Sequence, residues 1–118
     1  MTVVAYAASA ARFTAGILRS PLVYQDGDLG RFEGDKFISW ETFSGTEEAL
    51  AFAGLSVALA AQAPVKVVLI DELGRLTSAN KTKLLDRMLE LTRDGVIDAF
   101  IGADVVAPAM AGVKVVRL

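Results

Sequence analysis

Two adjacent carboxylates, Asp71 and Glu72, follow directly on four apolar residues, Val67, Val68, Leu69 and Ile70. Such a pair can divide hydrolytic work: one carboxylate holds Mg²⁺, directly or through water, while the other orients and deprotonates the attacking water. The same two acids also fit an ordinary solvated turn at the end of a buried strand. A second group with chemical capacity is Ser44-Gly45-Thr46-Glu47. At the start of a helix, a serine hydroxyl and unpaired amides make an anion site that the helix dipole reinforces. Ser44 and Glu47 also stand at the spacing of a capping box, in which hydroxyl and carboxylate satisfy each other's amides. Arg31, Arg75 and Arg93 are candidate contacts for phosphate or an acidic partner, or simply solvated surface cations. All these alternatives stand open on the residues alone.

The elements that must position these groups are legible in the hydrophobic pattern. Continuous, β-branched apolar character over residues 67–70 predicts a strand buried on both faces of a parallel sheet, so Asp71 and Glu72 fall at its carboxyl end, where open α/β sheets hold their ligands. Before it, residues 47–61 predict a near-continuously apolar core helix that Ser44 caps and Ala63-Pro64 closes. After it, residues 79–93 predict an amphipathic helix with Ser78 as its N-cap. Leu84, Leu85, Met88, Leu89 and Leu91 share one face of that helix, while Lys81, Lys83, Asp86, Arg87 and Glu90 favour water. Asp94-Gly95 ends it.

The remaining segments complete the expected order. Residues 4–18 read as a helix stopped by Ser20-Pro21. Leu22-Val23-Tyr24 and residues 31–40 read as short antiparallel strands, with turns at Asp26-Gly27-Asp28 and Glu33-Gly34-Asp35. Residues 97–101 and 113–116 read as two further strands. The whole is an α/β layer with parallel core strands, flanking helices and a small antiparallel β appendage, in one domain over residues 1–118.

Composition narrows the chemistry. The 118 residues are 53% hydrophobic, enough for a core of their own. Cysteine and histidine are both absent, which excludes disulfides, thiolate chemistry, a Ser-His triad and a histidine metal site. A net charge of -2 argues against an independent grip on nucleic acid. No secretory signal pattern opens the sequence, and the longest apolar stretch is interrupted by Gly54 and Ser56, so the expectation is a cytoplasmic protein with no membrane association.

Taken together, Phe43-Ser44-Gly45-Thr46-Glu47 and the later run from Val67 to Glu72 resemble the second half of an ABC-type ATPase head, the group that includes SMC, RecF and MutS proteins. The resemblance covers nearly the whole chain. In that family a Ser-Gly-Gly-Gln or Ser-Gly-Gly-Glu signature opens a helix, followed by the Walker B strand, a D-loop, a helix and a further strand. Ser44, Gly45 and Glu47 match the signature, and Thr46 stands at its usual second glycine. Asp71 matches the Walker B aspartate and Glu72 the catalytic glutamate. The continuation Leu73-Gly74-Arg75-Leu76-Thr77-Ser78 is similar to the Leu-Gly-Arg-Gly-Thr-Ser of MutS proteins, with Thr77-Ser78 in the D-loop place. Ala103 stands where many members carry a switch histidine, which SMC-like members often lack.

The resemblance implies a partial P-loop NTPase fold. It implies Mg²⁺ on Asp71, water activation by Glu72, and ATP contacts from Ser44, Gly45, Thr46, Glu47 and Ser78 in a head-to-tail homodimer. No Gly-x-x-x-x-Gly-Lys-Ser/Thr loop occurs in the sequence. The expectation is therefore a carboxyl-terminal lobe, inactive alone and completed by an amino-terminal lobe carrying the P-loop, with DNA reached through the complete protein. DNA repair or chromosome maintenance is the implied process. A non-catalytic α/β interaction or dimerisation module remains the alternative.

Overall fold

The computed structural model describes residues 2–71, 73–104 and 110–116. Helix α1 (Val3–Phe13) starts where the Thr2 hydroxyl accepts the Ala5 amide at 3.2 Å. It ends earlier than the expected residue 18. Gly16 adopts φ +80, which breaks the helical path, and the Ile17 and Leu18 amides fold back onto the Thr14 carbonyl. Ile17 and Leu18 are buried all the same, from a turn rather than a helical face.

Strands β1 (Val23–Gln25), β2 (Asp28–Glu33) and β3 (Lys36–Ser39) form the antiparallel appendage in the order β1-β2-β3. Asp26 and Gly27 both take positive φ, the primed geometry that matches the twist of a two-residue hairpin. Gly30 lies on the middle strand, opposite Val23 on one side and Ser39 on the other, and any Cβ there would collide with the Ile38 carbonyl.

Helix α2 (Gly45–Ala60) is the centre of the core, burying Leu50, Ala51, Ala53, Gly54, Val57, Ala58 and Ala60. Its small residues let α1 approach closely: a Cβ on Gly54 would sit 2.7 Å from the Thr14 methyl and 3.0 Å from the Ala10 carbonyl. Strand β4 (Val67–Ile70) runs parallel to β5 (Ala99–Gly102), with Val67 opposite Ala99 and Ile70 opposite Gly102. The crossover between them is α3 (Ser78–Arg93), packed by Leu84, Leu85, Met88 and Leu91. It closes in a Schellman arrangement, with Val96 N–H on the Leu91 carbonyl, Gly95 N–H on the Thr92 carbonyl and Gly95 at φ +76.

Four local expectations are corrected. The N-cap of α3 is Thr77, whose hydroxyl accepts the Asn80 amide at 3.2 Å, so Ser78 is its first helical residue. The β4 strand is buried on one face only: Val68 is 1% exposed but Leu69 is 67% exposed, because nothing in the described chain covers the outer side of the sheet. Residues 113–116 pair with no strand among the described residues, and Val116 is exposed. Arg87 does not simply face water. Its guanidinium donates to the Phe13 and Ala15 carbonyls at 3.0 and 2.8 Å, capping the end of α1 from α3. The result is an α/β domain with a two-stranded parallel sheet and a three-stranded antiparallel one. Among the described residues, no helix is long and apolar enough to cross a membrane.

Candidate functional site

Because β4 and β5 are parallel, their carboxyl ends open on one edge, and three elements meet there. Asp71 follows β4 directly and is exposed. Glu72 lies outside the described residues. The chain then tightens into a 3-10 turn, Leu73–Arg75, anchored by the buried Leu73 side chain. The Leu73 amide donates to the Ala103 carbonyl at 3.0 Å, and the Ala103 amide donates to the Ile70 carbonyl at 3.0 Å, so the residue after β5 is bonded to both Ile70 and Leu73. Beneath the turn, Asp104 forms a largely buried ion pair with Lys81 of α3, and the Asp104 carboxylate lies 3.3 Å from where a Cβ on Gly74 would stand.

The third element is the start of α2. Thr46 Oγ1 donates to the Arg75 carbonyl at 3.3 Å, and Arg75 Nη2 lies 3.8 Å from Glu48 Oε1. The guanidinium also passes Gly45 closely, 3.5 Å from where its Cβ would be. Ser44, Gly45 and Thr46 are thereby held against the turn that follows Asp71. Asp71 and Arg75 share a groove of about 280 Å³ with Phe52, Ser56, Leu69 and Leu73.

At the helix start the capping box is fully formed. The Ser44 hydroxyl accepts the Glu47 amide at 3.2 Å, and Glu47 Oε1 accepts the Ser44 amide at 3.3 Å. Glu47 Oε2 takes a 2.6 Å hydrogen bond from Arg31 Nε of β2, and the Arg31 guanidinium also lies 5.7 Å from the centre of the Phe43 ring. Burial pushes the Glu47 pKa up, but Arg31 and the Ser44 amide outweigh it and hold the carboxyl below its usual range. The Glu47 hydrogen bond in turn raises the Arg31 pKa against partial burial. In this chain the Glu47 carboxylate is committed to the cap and to the hairpin. Ser44 and Gly45 are exposed, and a hydroxyl that accepts a hydrogen bond still carries a proton to donate.

The structure therefore holds the Ser44-Gly45-Thr46 start of α2 against Arg75, which shares a groove with Asp71, whereas Ser78 is exposed on the first turn of α3. Sequence reasoning missed the Lys81-Asp104 pair and the Thr46-Arg75 bond, both long-range contacts with no local signature. Arg31 and Arg75, on the sequence candidate contacts for phosphate or an acidic partner or else solvated cations, are both engaged by carboxylates of α2. Among the described residues no group of three or more potential metal ligands converges. An exposed acid at a sheet edge nevertheless suits Mg²⁺, which commonly takes one or two carboxylates and completes its octahedron with water and phosphate oxygens. No protein-family model and no curated protein matches this chain.

Proposed function

We propose that this chain is the signature and Walker B lobe of an SMC/RecF-like ABC-type ATPase head, serving DNA repair or chromosome maintenance in the complete protein. The observation that carries the reading is the meeting of the α2 start with the turn after Asp71, at the carboxyl edge of a parallel strand pair. Asp71 would hold Mg²⁺, whose contribution is to neutralise charge on the phosphates being separated. Glu72 would accept the proton of the attacking water. Ser44 and Gly45, with Thr46 beside them, would present hydroxyl and amide donors to the γ-phosphate of ATP held by a second copy. Glu47 supports that role by fixing the cap rather than by touching the nucleotide, and Ser78 would lie near the dimer interface.

The uncovered apolar face supports a lobe completed by another. Leu69 and Ile101 stand opposite each other on β4 and β5, 67% and 57% exposed, with Phe52 of α2 also exposed. A helix with apolar residues on all sides such as α2 is characteristic of a larger core than the described residues supply. A lobe carrying the P-loop would bury that face. The test is ATP turnover by the chain assembled with its P-loop lobe. Glu72→Gln is expected to lower kcat by about a hundredfold or more. Unchanged turnover would leave the second reading, a non-catalytic α/β interaction module, which the closed Ser44-Glu47 cap favours.

A further inference from the structure

We propose that Thr46 is a positioning residue that couples the start of α2 to the Leu73–Arg75 turn of the same chain, an inference that rests on the function proposed above. The turn Leu73–Arg75 is held at two points. Its first amide is fixed by backbone, Leu73 N–H to the Ala103 carbonyl at 3.0 Å. Its last carbonyl, that of Arg75, is fixed by a side chain, the Thr46 hydroxyl at 3.3 Å. The carbonyl that ends a short 3-10 turn has no partner within the turn, so an outside donor decides where it points. The Leu76 amide closes the turn on the Leu73 carbonyl at 3.1 Å, and the Arg75 carbonyl accepts from Thr46.

The Arg75 side chain reinforces the same link. It reaches back across Gly45 to Glu48 in the first turn of α2, so main chain and side chain of one residue both engage that turn. A ligand drawing on Ser44 and Gly45 would pull the first turn of α2, and the Thr46 bond carries that displacement to the Leu73–Arg75 turn. A glycine at position 46 has no hydroxyl and makes no such link. The threonine that stands at this place therefore adds a tether that the backbone alone lacks.

Two measurements test the coupling, one of them independent of hydrolysis. In the 118-residue chain, Thr46→Val removes the hydroxyl and keeps the shape, whereas Thr46→Ser keeps the hydroxyl. Amide exchange at Leu76 is expected to be about three- to tenfold faster in Thr46→Val and unchanged in Thr46→Ser. Equal exchange in both variants would overturn the tether. In the protein assembled with its P-loop lobe, Thr46→Val is expected to lower kcat for ATP by about tenfold with KM altered less than about twofold, and Thr46→Ser to restore it. Wild-type kcat in Thr46→Val, alongside a Glu72→Gln variant that has lost turnover, would overturn the positioning role alone. Wild-type kcat in both variants would overturn the ATPase reading on which that role rests, while the exchange result would still decide the tether.

Discussion

Arg31 and Glu47 illustrate how one side-chain pair serves two structures at once. The carboxylate closes the cap of α2 with one oxygen and takes the Arg31 guanidinium of β2 with the other, so hairpin and helix are fastened at the candidate site's edge. Their side chains are 15% and 23% exposed, enough burial for the loss of either partner to leave the other poorly solvated. Arg31→Leu is expected to destabilise the chain at pH 7 by about 1–3 kcal/mol in urea unfolding. The sign of its pH dependence follows from Glu47, whose folded pKa is depressed. The stabilisation is fully present above the unfolded value of about 4.3 and is lost as pH falls through the folded value. The gap between wild type and Arg31→Leu is expected to be constant from pH 7 to about 5 and to close in more acid solution. A gap that persists unchanged to pH 2 would show that the pair is not the source. The cap itself was legible in the Ser44-to-Glu47 spacing. Arg31 was not, because its contact with Glu47 spans the hairpin and no local pattern encodes it.

Among the elements, those written in local periodicity were legible and those decided by contact were less so. The α2 and α3 helices and the β4 strand lie within two residues of expectation, since continuous apolar runs and helix-terminal residues fix them locally. The α1 helix is shorter than its Ala-rich pattern suggests because a left-handed Gly16 intervenes. Residues 113–116 have strand-like composition but pair with nothing described, and composition alone makes no ladder. The α1-α2 contact depends on a residue that helix propensity disfavours. Gly54→Ala gains up to about 1 kcal/mol of propensity, yet its Cβ would overlap the Thr14 methyl at 2.7 Å and press on the Ala10 carbonyl at 3.0 Å. Overpacking against backbone is expected to win, with a net loss of about 1–2 kcal/mol seen as a lower urea midpoint. A raised midpoint would mean that α1 shifts freely, and that the close packing is not a constraint.

At the scale of the whole molecule, the parallel pair accounts for where the candidate site lies. Parallel strands put both carboxyl ends on one edge, which is why Asp71, the grip of Ala103 and the Lys81-Asp104 pair gather there. A two-stranded parallel sheet with an apolar outer face is unusual as a finished structure, because such sheets are ordinarily covered on both sides. The sequence pattern of β4 is that of a strand buried on both faces, and the described residues bury only one face. That difference supports the proposed assembly. Under the proposed function the assembly is built by ATP: the α2 start of one copy meets nucleotide held by the other. The most direct test is the mass in solution of the chain joined to its P-loop lobe, carrying Glu72→Gln to prevent turnover, measured by sedimentation with and without ATP and Mg²⁺. A dimer that forms only with ATP, and that Ser44→Arg returns to monomer, is the expected result. A mass that ignores ATP, or a dimer indifferent to Ser44→Arg, would contradict the account.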